Sequence, residues 1–369
     1  MLISTGEPSG DVYAGDLVRK LRDGCPDLDV FGLGGDQVQA AGATLVAHVR
    51  DVAVVGLLEV LRHLGDLRAV FDRILAEADR VRPDVAVLVD YPDFNLRLAA
   101  QLHRRGIPVV YYVSPQVWAW RRGRLRQIRH HVSRMLVLFP FEEAIYREAG
   151  VPVTFVGHPL VERLRPVADR DAFLTEVGLD PARPVVAVLP GSRRKEVAHN
   201  LPPLTGAAAI LRARRPEVQP AIAAAAGLAH DTFAASGMHV VRDRTHALMG
   251  AATVGIVASG TATVEAALLD LPMVVVYRIS PLSYALGRPL VRLERFAMVN
   301  LIAGRDVVPE LMQGAFRAER VAEETLRLLD DPARRDVMRR DLGDVRARLG
   351  GPGATGRAAE AVAAFLARP

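Results

Sequence analysis

An aspartate ends the apolar run in VLVDYPDFN, residues 87–95. A carboxylate at the rim of a buried strand is partly desolvated, which raises its pKa toward the range of a general base. Asp90 is therefore a candidate base; it can equally bond loop backbone or cap the helix that starts near Phe94, where Asp93 is the better placed cap. GEPSGD, residues 6–11, follows the first apolar run and opens a helix. Its Glu7 can accept hydrogen bonds from sugar hydroxyls, or the segment can be a tight turn capped by Ser9 or Asp11. LPGSRRKEV, residues 189–197, sets Gly191 and Ser192 before a helix start that carries Arg193, Arg194 and Lys195. Free N–H groups and guanidinium there suit a diphosphate, since basic residues at a helix start oppose the macrodipole and call for an anion. SGTATVEA, residues 259–266, repeats the geometry: Gly260 and Thr261 offer turn amides to a phosphate, and Glu265, one turn into the helix, can accept both hydroxyls of a ribose or be an ordinary exposed glutamate. Asn300 and Arg305 sit in AMVNLIAGRDVVPELMQ, read as an apolar strand ending in a polar loop, where an asparagine is commonly a turn former. His158, in VGHP, has no metal-ligand partner at a suitable spacing, and no His/Cys cluster suggests zinc.

These residues need rigid carriers, and the chain supplies strand and helix patterns in alternation, the mark of βαβ units with parallel sheets. In the first half the strands are expected at residues 2–5, 30–33, 44–49, 84–89, 108–113, 135–138 and 153–156, with helices such as 94–105 and 140–150 between them. A second series, at 185–189, 219–224, 238–241, 253–257 and 273–276, follows a Pro-rich, charged stretch. We expect an α/β architecture: a domain over 1–164, a linker over 165–184, a second domain over 185–335, and helices over 336–369 that return to the first domain. Two doubly wound sheets facing across a cleft would bind ligands beyond the carboxyl ends of their strands. The segment 52–71 is different, because Val54, Val55, Leu57, Leu58 and Leu61 cover too much of a helix circumference for a surface helix. It is either internal or a patch that docks on an anionic membrane. Trp118 and Trp120, beside a basic helix, are read as packing residues rather than a nucleic-acid platform.

Composition narrows the class. The 369 residues are 50% hydrophobic and 24% charged, which excludes a disordered or collagen-like chain. The single cysteine, Cys25, allows no internal disulfide, and a reducing cytoplasm fits it. The N-terminal MLISTGEPSGD lacks a basic leader and an apolar core segment, so secretion is not expected; no charge-free run is long enough to span a bilayer. A net charge of +5 over this length is a weak attractor for nucleic acid; nearly all of it is arginine, which suits phosphate but also follows from codon bias.

GEPSGD, DYPDFN, YVSPQVWAWR, FPFEEAIY, VGHP, LPGSRRKEV, SGTATVEA and VNLIAGRDVVPELMQ stand in one collinear order over residues 1 to about 315. In this the chain resembles the lipid-A-disaccharide synthase family, whose fold is the GT-B type with two Rossmann-like domains. The resemblance implies an inverting transfer of diacylglucosamine from UDP-2,3-diacylglucosamine to the 6-hydroxyl of 2,3-diacylglucosamine 1-phosphate, giving a β(1→6) disaccharide and UDP. It implies that Asp90 is the general base, that Glu7 is needed for activity, and that Arg193 neutralises the leaving diphosphate without a metal cofactor. By the same resemblance Ser192, Gly260, Thr261, Glu265 and Asn300 fall at the nucleotide site, and the 52–71 segment docks on the inner face of the cytoplasmic membrane. A homodimer through the C-terminal helices is a further expectation. Pro8 and Tyr91 stand where the family has small residues, and Pro159 where it also uses threonine. Another UDP-sugar enzyme of this fold, such as a UDP-N-acetylglucosamine 2-epimerase or the peptidoglycan transferase of the GT-B class, would share the phosphate loops but not the whole DYPDFN to VSPQVWAWR stretch. A non-enzymatic UDP-sugar or nucleic-acid binding protein would keep the cleft while tolerating Asp90→Asn.

Overall fold

The computed structural model describes residues 1–52, 64–118, 123–225, 227–278 and 295–366. They divide into two units, the first made of Met1–Pro159 with Leu349–Pro369 and the second of Leu160–Arg348.

The first unit is built on a parallel sheet of seven strands: β1 (Leu2–Thr5), β2 (Phe31–Gly34), β3 (Thr44–His48), β4 (Ala86–Val89), β5 (Val109–Tyr112), β6 (Arg134–Val137) and β7 (Val153–Phe155). Their order is β3-β2-β1-β4-β5-β6-β7. The central strands are apolar at nearly every position because helices cover both faces, as a buried parallel sheet requires. Successive residues enter opposite layers: Leu88 and Tyr111 join one core, Val87 and Tyr112 the other. The Leu64–Val81 helix buries Val70, Ile74 and Ala78, four residues apart, on the first of these.

The second unit has six parallel strands: β8 (Val185–Leu189), β9 (Gln219–Ala224), β10 (His239–Arg242), β11 (Val254–Ala258), β12 (Met273–Tyr277) and β13 (Glu310–Met312). Their order, β10-β9-β8-β11-β12-β13, is that of a dinucleotide-binding sheet.

Three expectations change. The apolar run around Asn300 is a helix, Met298–Ala303, and the strand comes after it as β13. Residues 165–184 carry the Arg170–Glu176 helix, capped by Asp169 and buried through Phe173 and Leu174, so this stretch is built into the second unit. The return to the first unit begins at Leu349, since the Pro332–Arg348 helix buries Met338, Leu342 and Val345 and its Arg348 donates to the carbonyls of Ile302 and Ala303 in the second unit. Among the described residues of the tail, the Ala354–Leu366 helix packs on the first, where Ala358, Ala359, Val362 and Phe365 share a core with Ala14, Leu17, Val18 and Leu21 of the Pro8–Gly24 helix. Arg357 fastens it by donating to the carbonyl of Val156 at 2.8 Å.

Candidate active site

In a doubly wound sheet the strand order reverses at one point, and the loops there diverge to leave a crevice. In the first unit that point lies between β1 and β4, whose carboxyl ends lead directly into Glu7 and Asp90. Both side chains are half-buried. Asp90 and Tyr91 take left-handed backbone conformations, with φ of 47° and 49°. For non-glycine residues this costs roughly 1–2 kcal/mol each, so the surroundings must hold them. They do: the Asp90 carbonyl accepts from Tyr111 Oη at 2.6 Å and from Asn95 Nδ2 at 2.8 Å, and its N–H donates to Tyr112 at 2.9 Å. Asn95, fully buried, also accepts from Ser4 Oγ at 2.7 Å and thereby ties β1 to the end of β4.

The double left-handed turn sends the chain into Pro92, the first residue of the next helix, whose cap is Tyr91. Asp93 is not the cap; it pairs with Arg124. Glu7 occupies the cap position of the Pro8–Gly24 helix but makes no capping bond with its carboxylate. Ser9 and Asp11 lie inside that helix, and buried Asp11 instead accepts the N–H groups of Gly35, Gln37 and Val38 at the start of the Asp36–Ala40 helix. Tyr91 lies against Gly6, where a Cβ would fall 2.2–2.6 Å from ring carbons, and stacks on Phe94 at 5.6 Å. Burial first, then the charges of Glu7 and Asp93, raise its phenol pKa.

Glu142, in FPFEEAIY, had no role assigned from sequence. It is buried behind β5 and β6, accepts from Trp118 Nε1 at 3.3 Å and from the Phe139 N–H at 3.2 Å, and burial pushes its carboxyl up to about 7. Ser114 links to Tyr146 Oη at 2.8 Å in the same cluster. Trp118 is thus a packing residue, edge-on to Phe141 at 5.4 Å; Trp120 lies outside the described residues, as do Val54, Val55, Leu57, Leu58 and Leu61. His158 is buried beside Tyr13 and Phe139, which pulls its pKa down to about 4 and keeps it neutral.

The second unit reverses between β8 and β11, and the two glycine turns begin there. Gly191 and Gly260 have φ of 120° and 149°, backbone that other residues rarely adopt. Ser192, Arg193, Gly260 and Thr261 are exposed, and no Cβ contact arises at Gly260. At the other turn an internal anion is in place: Glu196 accepts the Ser192 N–H at 3.1 Å and lies against Gly191, just where helix-start amides attract negative charge. Tyr277, at the end of β12, feels both Glu196 and Arg193. Glu265 stands 3.5 Å from His246 Nε2, an ion pair that raises the imidazole pKa. His246 escaped sequence reading because it lies on a different helix, Thr245–Ala251.

Asn300, expected by resemblance at the nucleotide site, makes its hydrogen bonds inside the fold. It is fully buried; its Oδ1 accepts from Val307 and Val308 at 2.8 and 3.0 Å, and its Nδ2 donates to the Val308 carbonyl at 2.9 Å and to Glu310 Oε1 at 2.7 Å. With every position of the amide engaged inside the fold, Asn300 positions the segment leading to β13. The fold also brings His103, His130 and His131 together from two helices.

Residues 1–365 match the lipid-A-disaccharide synthetase family. The chain belongs to that family. Relatives include the lipid-A-disaccharide synthases of Koribacter versatilis, 48% identical over all of this chain and 97% of that protein, and of Myxococcus xanthus, 44% identical over 99% and 97%. Among solved structures, a UDP-GlcNAc 2-epimerase from Neisseria meningitidis bound to UDP-GlcNAc superposes with a TM-score of 0.66 at 11% identity, covering 98% of each chain. The calicheamicin glycosyltransferase CalG4 gives 0.59 at 18%, covering 100% and 98%. These likenesses show the fold, an α/β architecture of the GT-B type, while the family match separates the chain from the epimerases and makes it a glycosyltransferase of lipid A biosynthesis.

Proposed function

We propose that the chain transfers diacylglucosamine from UDP-2,3-diacylglucosamine to the 6-hydroxyl of 2,3-diacylglucosamine 1-phosphate, with inversion, to give the β(1→6) disaccharide 1-phosphate and UDP. The observation that carries this reading is the family match along nearly the whole chain, with acid-bearing and phosphate-type loops each at a sheet's reversal point. Asp90 takes the proton of the acceptor hydroxyl as its oxygen attacks C1. The bond from C1 to the diphosphate oxygen breaks, and UDP leaves with the electron pair. Glu7 orients sugar hydroxyls beside Asp90. Arg193 and the amides at Ser192, Gly260 and Thr261 stabilise the departing charge, and the diphosphate takes over the Ser192 N–H from Glu196. Glu265 receives the ribose.

No metal is required in this scheme, since guanidinium and amides meet the diphosphate.

The deciding experiment is UDP release with donor alone and with donor plus acceptor, followed by mass analysis of the lipid. Acceptor-dependent release of UDP with a disaccharide 1-phosphate product is expected. Asp90→Asn should abolish turnover and leave UDP affinity within a few-fold, whereas Arg193→Ala should weaken UDP binding by ~1–3 kcal/mol, the range of charge-assisted hydrogen bonds. Equal loss of UDP affinity in both variants would contradict the assignment.

Acylated substrates and the apolar 52–71 run also support peripheral docking on the anionic inner face of the cytoplasmic membrane. Among the described residues no helix is long and apolar enough to cross a bilayer. Co-sedimentation with anionic vesicles should be lost in the Leu57→Ser, Leu61→Ser double variant; undiminished sedimentation would reject this patch.

A further inference from the structure

His103 sits in the last turn of the Pro92–Arg104 helix, and His130 and His131 end the neighbouring Arg124–His131 helix. The three rings are mutual neighbours, with centroids 5.4, 5.4 and 4.8 Å apart. One ring nitrogen from each can be chosen so that all lie within 4.8 Å of one another. Two features beyond proximity point to a cation. Both helices present their carboxyl ends here, and each end carries about half a negative charge on its last carbonyls. His131 Nδ1 is shielded from solvent and has no hydrogen-bond partner, a condition that costs ~1–3 kcal/mol and that a ligand bond would relieve.

The charges that could oppose a cation are mostly directed elsewhere. Arg105 is held by Asp79 at 2.7 Å, and Arg129 reaches toward Gly150. Exposed Arg104, whose charge acts against a cation at His131, and exposed Arg126, one turn before His130, are the further cations on these helices.

We propose that His103, His130 and His131 form a site for a divalent transition metal of the imidazole-preferring class, with zinc and nickel as its representatives. An all-nitrogen donor set excludes magnesium and calcium, which take oxygen ligands. At metal–nitrogen distances of about 2.0–2.1 Å, three tetrahedral ligands sit roughly 3.4 Å apart. His103 and His130 are exposed and can rotate to close that difference, while half-buried His131 is the fixed donor. A solvent molecule completes the shell. The site lies at the far ends of two helices whose near ends are already joined by the Asp93–Arg124 ion pair, next to the turn that displays Asp90. A bound ion therefore closes the second end of that pair and acts as a structural staple.

The test uses the full chain prepared without a polyhistidine tag and stripped of metal. Zinc and nickel chlorides are titrated by calorimetry and by competition with a chromophoric chelator, with magnesium as the control. One equivalent of zinc or nickel is expected to bind, magnesium not at all, and the thermal midpoint to rise with zinc. His103→Ala and His130→Ala, both at exposed positions, should fold normally, lose at least about tenfold in affinity, and lose the zinc-dependent rise in midpoint. Absence of uptake, or uptake unchanged in the His103→Ala, His130→Ala double variant, would overturn the proposal.

Discussion

His158 and Glu142 are buried ionisable groups whose neutral forms burial favours, and each makes stability depend on pH with its own sign. The His158 imidazole is pulled from 6.5 to about 4 by burial. Between those values the unfolded chain binds a proton that the folded chain refuses, so stability is intact above pH 6.5 and falls as pH drops toward 4, by roughly 3 kcal/mol in full. Glu142 behaves oppositely: its carboxyl rises from 4.5 to about 7, so the folded chain keeps a proton that the unfolded chain releases, and stability falls as pH climbs through that window. The two slopes oppose each other across nearly the same interval and hide one another in the wild type. His158→Asn should expose the Glu142 slope, with a thermal midpoint that declines more steeply from pH 5 to 7 than in the parent. Parallel midpoint curves for the two proteins would show that His158 carries no such linkage. At this scale the sequence makes legible what local context decides: Asp90 does follow a buried strand, as the apolar run before it implies. It is silent about partners set by the fold, as with Asn95 reaching back to Ser4, or Asn300, whose amide bonds to Val307, Val308 and Glu310.

At the level of elements, the helices after β1, β4 and β6 each begin with a proline, Pro8, Pro92 and Pro140. Proline at the first helical position lacks only a donor that the helix would leave unpaired, and its fixed φ suits the start. This is why the expected caps Ser9, Asp11 and Asp93 were misplaced: proline sets the start one or more residues earlier than the polar residue suggests. The strands were legible because parallel sheets covered on both faces read as continuous apolar runs. The three-residue β13 was too short to announce itself, and the six-residue Met298–Ala303 helix is too brief and too uniformly apolar to show a helical period. The β1 and β4 turns are also interlocked, since Tyr91 fills the space that a side chain at residue 6 would need. Gly6→Ala should therefore destabilise the parent by ~1–3 kcal/mol, as overpacking does, and be close to neutral beside Tyr91→Ala. Chemical unfolding of the four proteins of this cycle measures the coupling; additive effects would mean that the ring yields without resistance.

Across the whole molecule, two α/β halves were visible in sequence because a second strand series restarts after residue 184, but contact decides where the halves divide. The Arg170–Glu176 and Pro332–Arg348 helices look like connection and tail in a linear reading, yet their apolar faces are buried in the second unit. The first unit, by contrast, is discontinuous in sequence. Its opening helix shares a core with the sheet, but the flank that meets the last helix stays open until Ala358, Ala359, Val362 and Phe365 arrive. On a ribosome adding about 5–20 residues per second, the intervening second unit takes roughly 10–40 s to emerge. Throughout that interval the nascent chain carries an apolar seam open to chaperones, to neighbouring polysomes and to the membrane. The half that is made first is the half that closes last.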